Sequence, residues 1–183
     1  MRTVDLLFFM GQSNMAGRGE AALAPVVAPG MGYEYRAVTD PDTLHPLEEP
    51  FGVNENDPAG VYEPGMKTGA MVSSFVNACT AQTGVPVVGV SCAKGGSAIA
   101  KWLPGTPYYQ DAVRRARKAR AFLQANGYPI RHSANGLVPG LHRRRPAHPQ
   151  GRLQSRHRAR SAQLYAGRRR ANLLFDPNRQ PAR

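Results

Sequence analysis

Val4-Asp5-Leu6-Leu7-Phe8-Phe9-Met10-Gly11-Gln12-Ser13-Asn14 is an apolar run that stops at a glycine-containing turn. The run is far too short to span a membrane. It suits a strand buried on both faces, as in the parallel sheet of an α/β domain. It carries an acid, Asp5, and its flanks are wrong for a secretory leader. A second such run, Pro86-Val87-Val88-Gly89-Val90-Ser91, is broken by Ala93-Lys94-Gly95-Gly96-Ser97. Between the two, Met71, Val72, Phe75, Val76 and Cys79 recur at helical spacing. They predict a helix capped by Thr68, running to about Gln82 and ended by Gly84. Beyond the second run, Asp111 caps a helix predicted to about Ala125 and closed by Asn126-Gly127. Ala112, Val113, Ala116, Ala119 and Leu123 form its apolar stripe, with Arg114, Arg115, Lys118 and Arg120 mostly off it. Tyr128-Pro129-Ile130 reads as the entry to a third core strand. Strand, helix, strand, helix predicts a parallel, three-layer α/β sheet. Residues 17–66, rich in Gly, Pro, Asp and Asn, read as a long surface excursion with at most short elements.

The chain has 183 residues, which suits one domain, and 42% are hydrophobic, enough for a packed core. Collagen-like, coiled-coil and wholly disordered classes fail on composition. The formal net charge of +12 is unevenly spread. Residues 1–130 hold 11 Lys+Arg against 11 Asp+Glu, a balance of zero. Residues 131–183 hold 13 Arg, no Lys and one acid, Asp176, so 13 − 1 = +12. The excess sits entirely in the last 53 residues, and the two parts need separate readings. Cys79 and Cys92 demand no bridge, so free thiols and a cytoplasmic setting are the expectation. Cys79, Cys92 and His45 lack metal-ligand spacing, and neither a metal nor a cofactor is expected.

Ser13 follows the first strand directly, at the carboxyl edge of the sheet, where open α/β sheets place ligands. The plainer alternative for Ser13 alone is a helix cap. The second strand ends in Gly95-Gly96-Ser97, where glycine lets a backbone N–H approach a ligand closely. Two neighbouring strands would then deliver a hydroxyl and N–H donors to one edge, the makings of an acyl-transfer centre with an oxyanion hole.

Met10-Gly11-Gln12-Ser13-Asn14-Met15-Ala16-Gly17-Arg18-Gly19 resembles the first block of the SGNH hydrolases, in their sialate O-acetylesterase and acetylxylan-esterase branch. Val87 through Ile99 and Trp102 resemble that branch's second block. Pro50-Phe51-Gly52-Val53-Asn54 and Met71-Val72-Ser73-Ser74-Phe75 match in order between them. The resemblance covers about residues 4–132 and implies a flavodoxin-like α/β/α fold. It further implies Ser13 as nucleophile and oxyanion N–H donor, Gly96 as second N–H donor, and removal of O-acetyl groups from a carbohydrate through an acyl-enzyme.

The resemblance also implies a His from an Asp-x-x-His block near the C-terminus and a side-chain oxyanion donor from a block like Trp-x-Gln-Gly-x-x-Asp. Neither is present. Pro129, Pro139, Arg145 and Gln154 stand three before His132, His142, His148 and His157. Asp42-Thr43-Leu44-His45 has the spacing, but it lies in the early excursion and reads as a decoy. No catalytic His or Asp is identified.

The tail, residues 133–183, admits three readings: a basic nucleic-acid arm, a disordered solvated segment, or the product of a shifted reading frame. Arg without Lys, among scattered His, Pro, Gln and Ala, is what a GC-rich gene yields out of frame. Leu137 through Pro146 can be encoded as CTG GTG CCA GGG CTC CAC CGA CGG CGA C. Read one base later, this gives Trp-Cys-Gln-Gly-Ser-Thr-Asp-Gly-Asp, the missing block in its expected place. The expectation is therefore a 1–132 esterase part with an exposed strand edge, little order beyond residue 132, and a catalytically weak or inactive chain. The expected partner is an acetylated carbohydrate, with no specific nucleic acid and no membrane. The rival classes are a non-catalytic carbohydrate-binding remnant and a basic-tailed nucleic-acid binder.

Overall fold

The computed structural model describes residues 2–138. The elements run β1 (Val4–Gly11), α1 (Ser13–Ala16), β2 (Gly32–Arg36), β3 (Asp40–Pro46), α2 (Val72–Thr83), β4 (Val87–Ala93), α3 (Pro107–Ala125) and β5 (Ile130–Val138). Short 3-10 turns lie at Ala21–Leu23 and Ile99–Trp102. The strands form one sheet in the order β3-β2-β4-β1-β5. β1 pairs in parallel with both β4 and β5, and β2 pairs in parallel with β4. Alternation along β1 and β4 divides the core into two faces. Phe9, Val87 and Ala93 pack with Val72 and Val76 of α2 and with Phe51. The opposite parity, including Leu6, Phe8, Val88, Val90 and Cys92, is also buried. It lies on the side of α3, whose Ala112, Ala116, Ala119 and Leu123 are fully buried. Tyr35 of β2 meets Phe122 of α3 there, with ring centroids 5.2 Å apart. This is the α/β/α layering that the sequence predicts. Burying each Leu, Val or Phe of β1 stabilises it by about 1.5–3 kcal/mol, so its apolar run, interrupted only by Asp5, is the sheet's anchor.

Four expectations are corrected. The excursion 17–66 contains the β2–β3 hairpin, and β3 runs antiparallel to β2, so the sheet is mostly rather than wholly parallel. Its Pro41, Pro46 and acids hid it, because such residues are tolerated on an edge strand alone. Thr68 caps nothing: its N–H bonds the Gly17 carbonyl at 3.3 Å and Gly69 bridges Gly19, so the chain stays extended until Met71. The Glu49 carboxylate instead receives the N–H groups of Ala70 (2.9 Å) and Ser73 (3.3 Å) at the start of α2. Asp111 lies inside α3, which begins four residues earlier with Pro107 at its first position and Thr106 at its cap. Finally, β5 continues through Val138, beyond residue 132, and it is an edge strand, with Arg131 through Asn135 exposed. Arg131 clasps Asp5 of β1 with two bonds, at 2.9 and 2.5 Å, which fixes its register. The chain divides after Gly140 into two units, and the expected disorder or frame shift of the tail from 139 onward lies outside the described residues.

A polar seam runs under the sheet. Arg115, predicted to lie off the apolar stripe, is 1% exposed. Its guanidinium holds Asp111 (2.9 Å) and donates to the carbonyls of Glu55 (3.1 Å) and Ser91 (3.0 Å). The buried Glu55 carboxylate receives the N–H groups of Val38 and Thr39. Lys67, 4% exposed, donates to the Gly52 carbonyl and the Ser91 hydroxyl, both at 3.0 Å. Burial, followed by the charge of Arg115, pulls the Lys67 ammonium down to about 8. An unfolded lysine holds its proton to about pH 10.4. Between these values the unfolded chain binds the extra proton, so stability rises with pH. Below pH 8 both states are protonated and the penalty is constant. The stability difference between the native chain and Lys67→Met, from urea midpoints, should therefore shift in favour of the native chain across roughly pH 8–10 and stay flat from pH 6 to 7.5. A difference that stays flat throughout contradicts the buried ammonium.

Candidate active site

Ser13 is the first residue of α1, two residues past the end of β1, and it is not the cap: Gln12 occupies that position without a side-chain bond. Its carbonyl accepts the Gly17 N–H at 2.9 Å. Among the described residues, nothing bonds its hydroxyl or its N–H. β4 is the direct neighbour of β1, with Gly11 level with Ala93. The Lys94 N–H donates to the Gly11 carbonyl at 2.9 Å, extending the pairing past both strand ends. The segment bearing Ser13 and the segment bearing Gly96 thus leave the sheet side by side at its carboxyl edge. Gly96 is exposed, with φ +67° and open space where a Cβ would stand. No described residue accepts its N–H.

The loop after β4 is held from several sides. Ser97 Oγ donates to the Lys94 carbonyl at 2.6 Å and accepts the Trp102 indole N–H at 3.0 Å. The Glu63 carboxylate, 4% exposed, accepts the Gly95 N–H at 3.0 Å and forms an ion pair with Arg18. A Cβ on Gly95 would overlap both Arg18 and Glu63, which explains the glycine there. Arg18 also donates to the carbonyls of Gly17 (2.5 Å) and Met66 (2.6 Å). Sequence reasoning missed Glu63: it stands between Tyr62 and Pro64-Gly65 in the excursion, and only the fold carries it to the glycines. Arg18 lies inside the quoted first block, but its spacing assigns it no role.

Neither histidine among the described residues that follow the start of β1 reaches Ser13. His45 pairs with Glu34, Glu34 with Gly89, and Gly89 with Leu7, so His45 lies three strands from β1, roughly 14 Å across the sheet. Its Nε2 lies 3.0 Å from Asp40, not Asp42. His132 is level with Asp5, and Gly11 lies six residue steps further along the strand, roughly 20 Å away. His142, His148 and His157 lie outside the described residues. Cys92 is fully buried and its thiol is pushed up to about 12 by burial, so it is no nucleophile.

The family model described as carbohydrate esterase, sialic acid-specific acetylesterase, matches residues 3–127. A protein of Arabidopsis thaliana with a 1.6 Å X-ray structure is similar in fold, with a TM-score of 0.53 at 21% identity. The similarity covers 74% of this chain, which spans 57% of the length of that protein. No curated protein matches the chain.

Proposed function

The chain belongs to the family of sialic acid-specific acetylesterases among the carbohydrate esterases, and on that premise we propose that its site is built to hydrolyse acetyl esters on a sugar, with Ser13 as nucleophile. The observation that carries the reading is the parallel pairing of β1 with β4, level at their carboxyl ends. Ser13 Oγ attacks the acetyl carbonyl carbon. The carbonyl oxygen becomes an oxyanion, received by the N–H groups of Ser13 and Gly96. The ester C–O bond then breaks, the sugar oxygen takes a proton, and water releases acetate from the acyl-serine. An acetylated carbohydrate is the partner this chemistry requires.

A serine hydroxyl needs a base to accept its proton, and such a base contributes about 10²–10⁴-fold. No base accompanies Ser13 among the described residues, and the tail carries no Asp-x-x-His. We therefore expect turnover of 4-nitrophenyl acetate by the purified chain to stay near background and to be little changed in Ser13→Ala. Robust hydrolysis that Ser13→Ala abolishes would establish Ser13 and overturn the inactivity. Robust hydrolysis indifferent to Ser13→Ala would overturn the nucleophile.

A further inference from the structure

We propose that Glu63 is a positioning residue that sets the direction of the Gly96 N–H, an inference resting on the reading of Ser13 and Gly96 above. Consecutive amides after β4 meet different fates. The Gly95 N–H is spent on the buried Glu63 carboxylate at 3.0 Å, while the next N–H, that of Gly96, has no acceptor among the described residues. A bond from N–H to carboxylate is stronger than one between neutral groups, and a buried one escapes screening by water. Glu63 is itself held: its N–H donates to Asn56 Oδ1 at 2.8 Å, and Asn56 Nδ2 donates to the Val53 carbonyl at 2.9 Å. Two cations neutralise the carboxylate, Arg18 directly and Lys94 at 3.7 Å. Arg18 lies five residues past Ser13, and its second nitrogen grips Gly17 and Met66. One side chain from the 56–66 loop therefore ties the segment after Ser13 to the peptide that precedes the Gly96 N–H. With φ at +67°, Gly96 lacks the steric restraint that would hold its own amide, so the direction must be imposed from Gly95. Catalytic donors need placement within about 0.5 Å, and that placement comes from the side chains behind them.

The test uses the full chain, ¹⁵N-labelled, titrated with 9-O-acetylated sialic acid while the Gly95 and Gly96 amides are followed by NMR. In the native chain the Gly96 amide should shift on binding. Glu63→Ala should weaken binding at least tenfold and flatten the Gly96 shift. Glu63→Gln, whose amide oxygen still accepts from Gly95, should recover most of both. Equal affinity and an unchanged Gly96 shift in Glu63→Ala overturn the role of Glu63. Absence of any Gly96 shift in the native chain overturns the Ser13–Gly96 site, and this inference with it. If Glu63→Ala does not fold, hydrogen exchange in the native chain decides. A Gly95 amide slowed a hundredfold relative to Gly65 supports the clamp, and an unprotected one refutes it.

Discussion

Arg115→Met should lower the stability of the chain by about 3–5 kcal/mol, the usual cost of stripping one partner from a buried ion pair. Methionine fills much of the volume, so packing is not the main loss. The loss is electrostatic. Asp111, fully buried, would keep the Val61 N–H and the exposed Arg114 at 2.7 Å but lose its buried guanidinium partner. The carbonyls of Glu55 and Ser91 would lose their donor, and unsatisfied buried acceptors cost about 1–3 kcal/mol each. The exposed Arg117→Met is the control and should move the urea midpoint little. Pairing Arg115→Met with Asp111→Leu should return part of the loss, because the carboxylate left with only the exposed Arg114 as its cation disappears too. Equal midpoints for Arg115→Met and Arg117→Met would mean that the seam does not hold α3 to the sheet.

The second large effect is catalytic. Deleting one base of the coding DNA just ahead of codon 133 should raise acetyl-ester turnover about 10²–10⁴-fold, the contribution of a general base. On the frame-shift reading, with the codons given above, the shifted frame would read Trp-Cys-Gln-Gly-Ser-Thr-Asp-Gly-Asp in place of the residues beginning at Leu137, and the reading requires an Asp-x-x-His further along. The gain should vanish again in Ser13→Ala. A stop codon in that frame, or a shifted product no faster than the original, defeats the frame-shift reading while leaving family membership intact.

What the sequence reveals and what it hides follow from where the partners lie. β1, β4 and the apolar stripe of α3 depend on local pattern, and they stand where that pattern predicts. The order of Ser13 and the glycines was legible for the same reason, since each immediately follows a buried strand. β3 was not legible: an edge strand needs no alternation and tolerates Pro41 and Pro46. Thr68 and Asp111 looked like caps because their side chains suit the role, but distant partners took them, the Gly17 carbonyl for the backbone of Thr68 and the Val61 N–H for Asp111. Arg115 looked exposed because the carbonyls that receive it lie 60 and 24 residues away. Glu63 acts across 32 residues on Gly95 and carries no local signal.

The strand order has a consequence for synthesis. β1 leaves the ribosome well before its two neighbours, which begin at Val87 and Ile130. At about 5–20 residues per second, the most apolar segment of the nascent chain waits roughly 4–17 s before its first hydrogen-bonding partner exists. Throughout that interval Leu6, Phe8 and Phe9 are available to any passing chaperone, or to the β1 of a neighbouring polysome product. Shielding of those few residues until β4 arrives is therefore a condition that the strand order places on folding during translation.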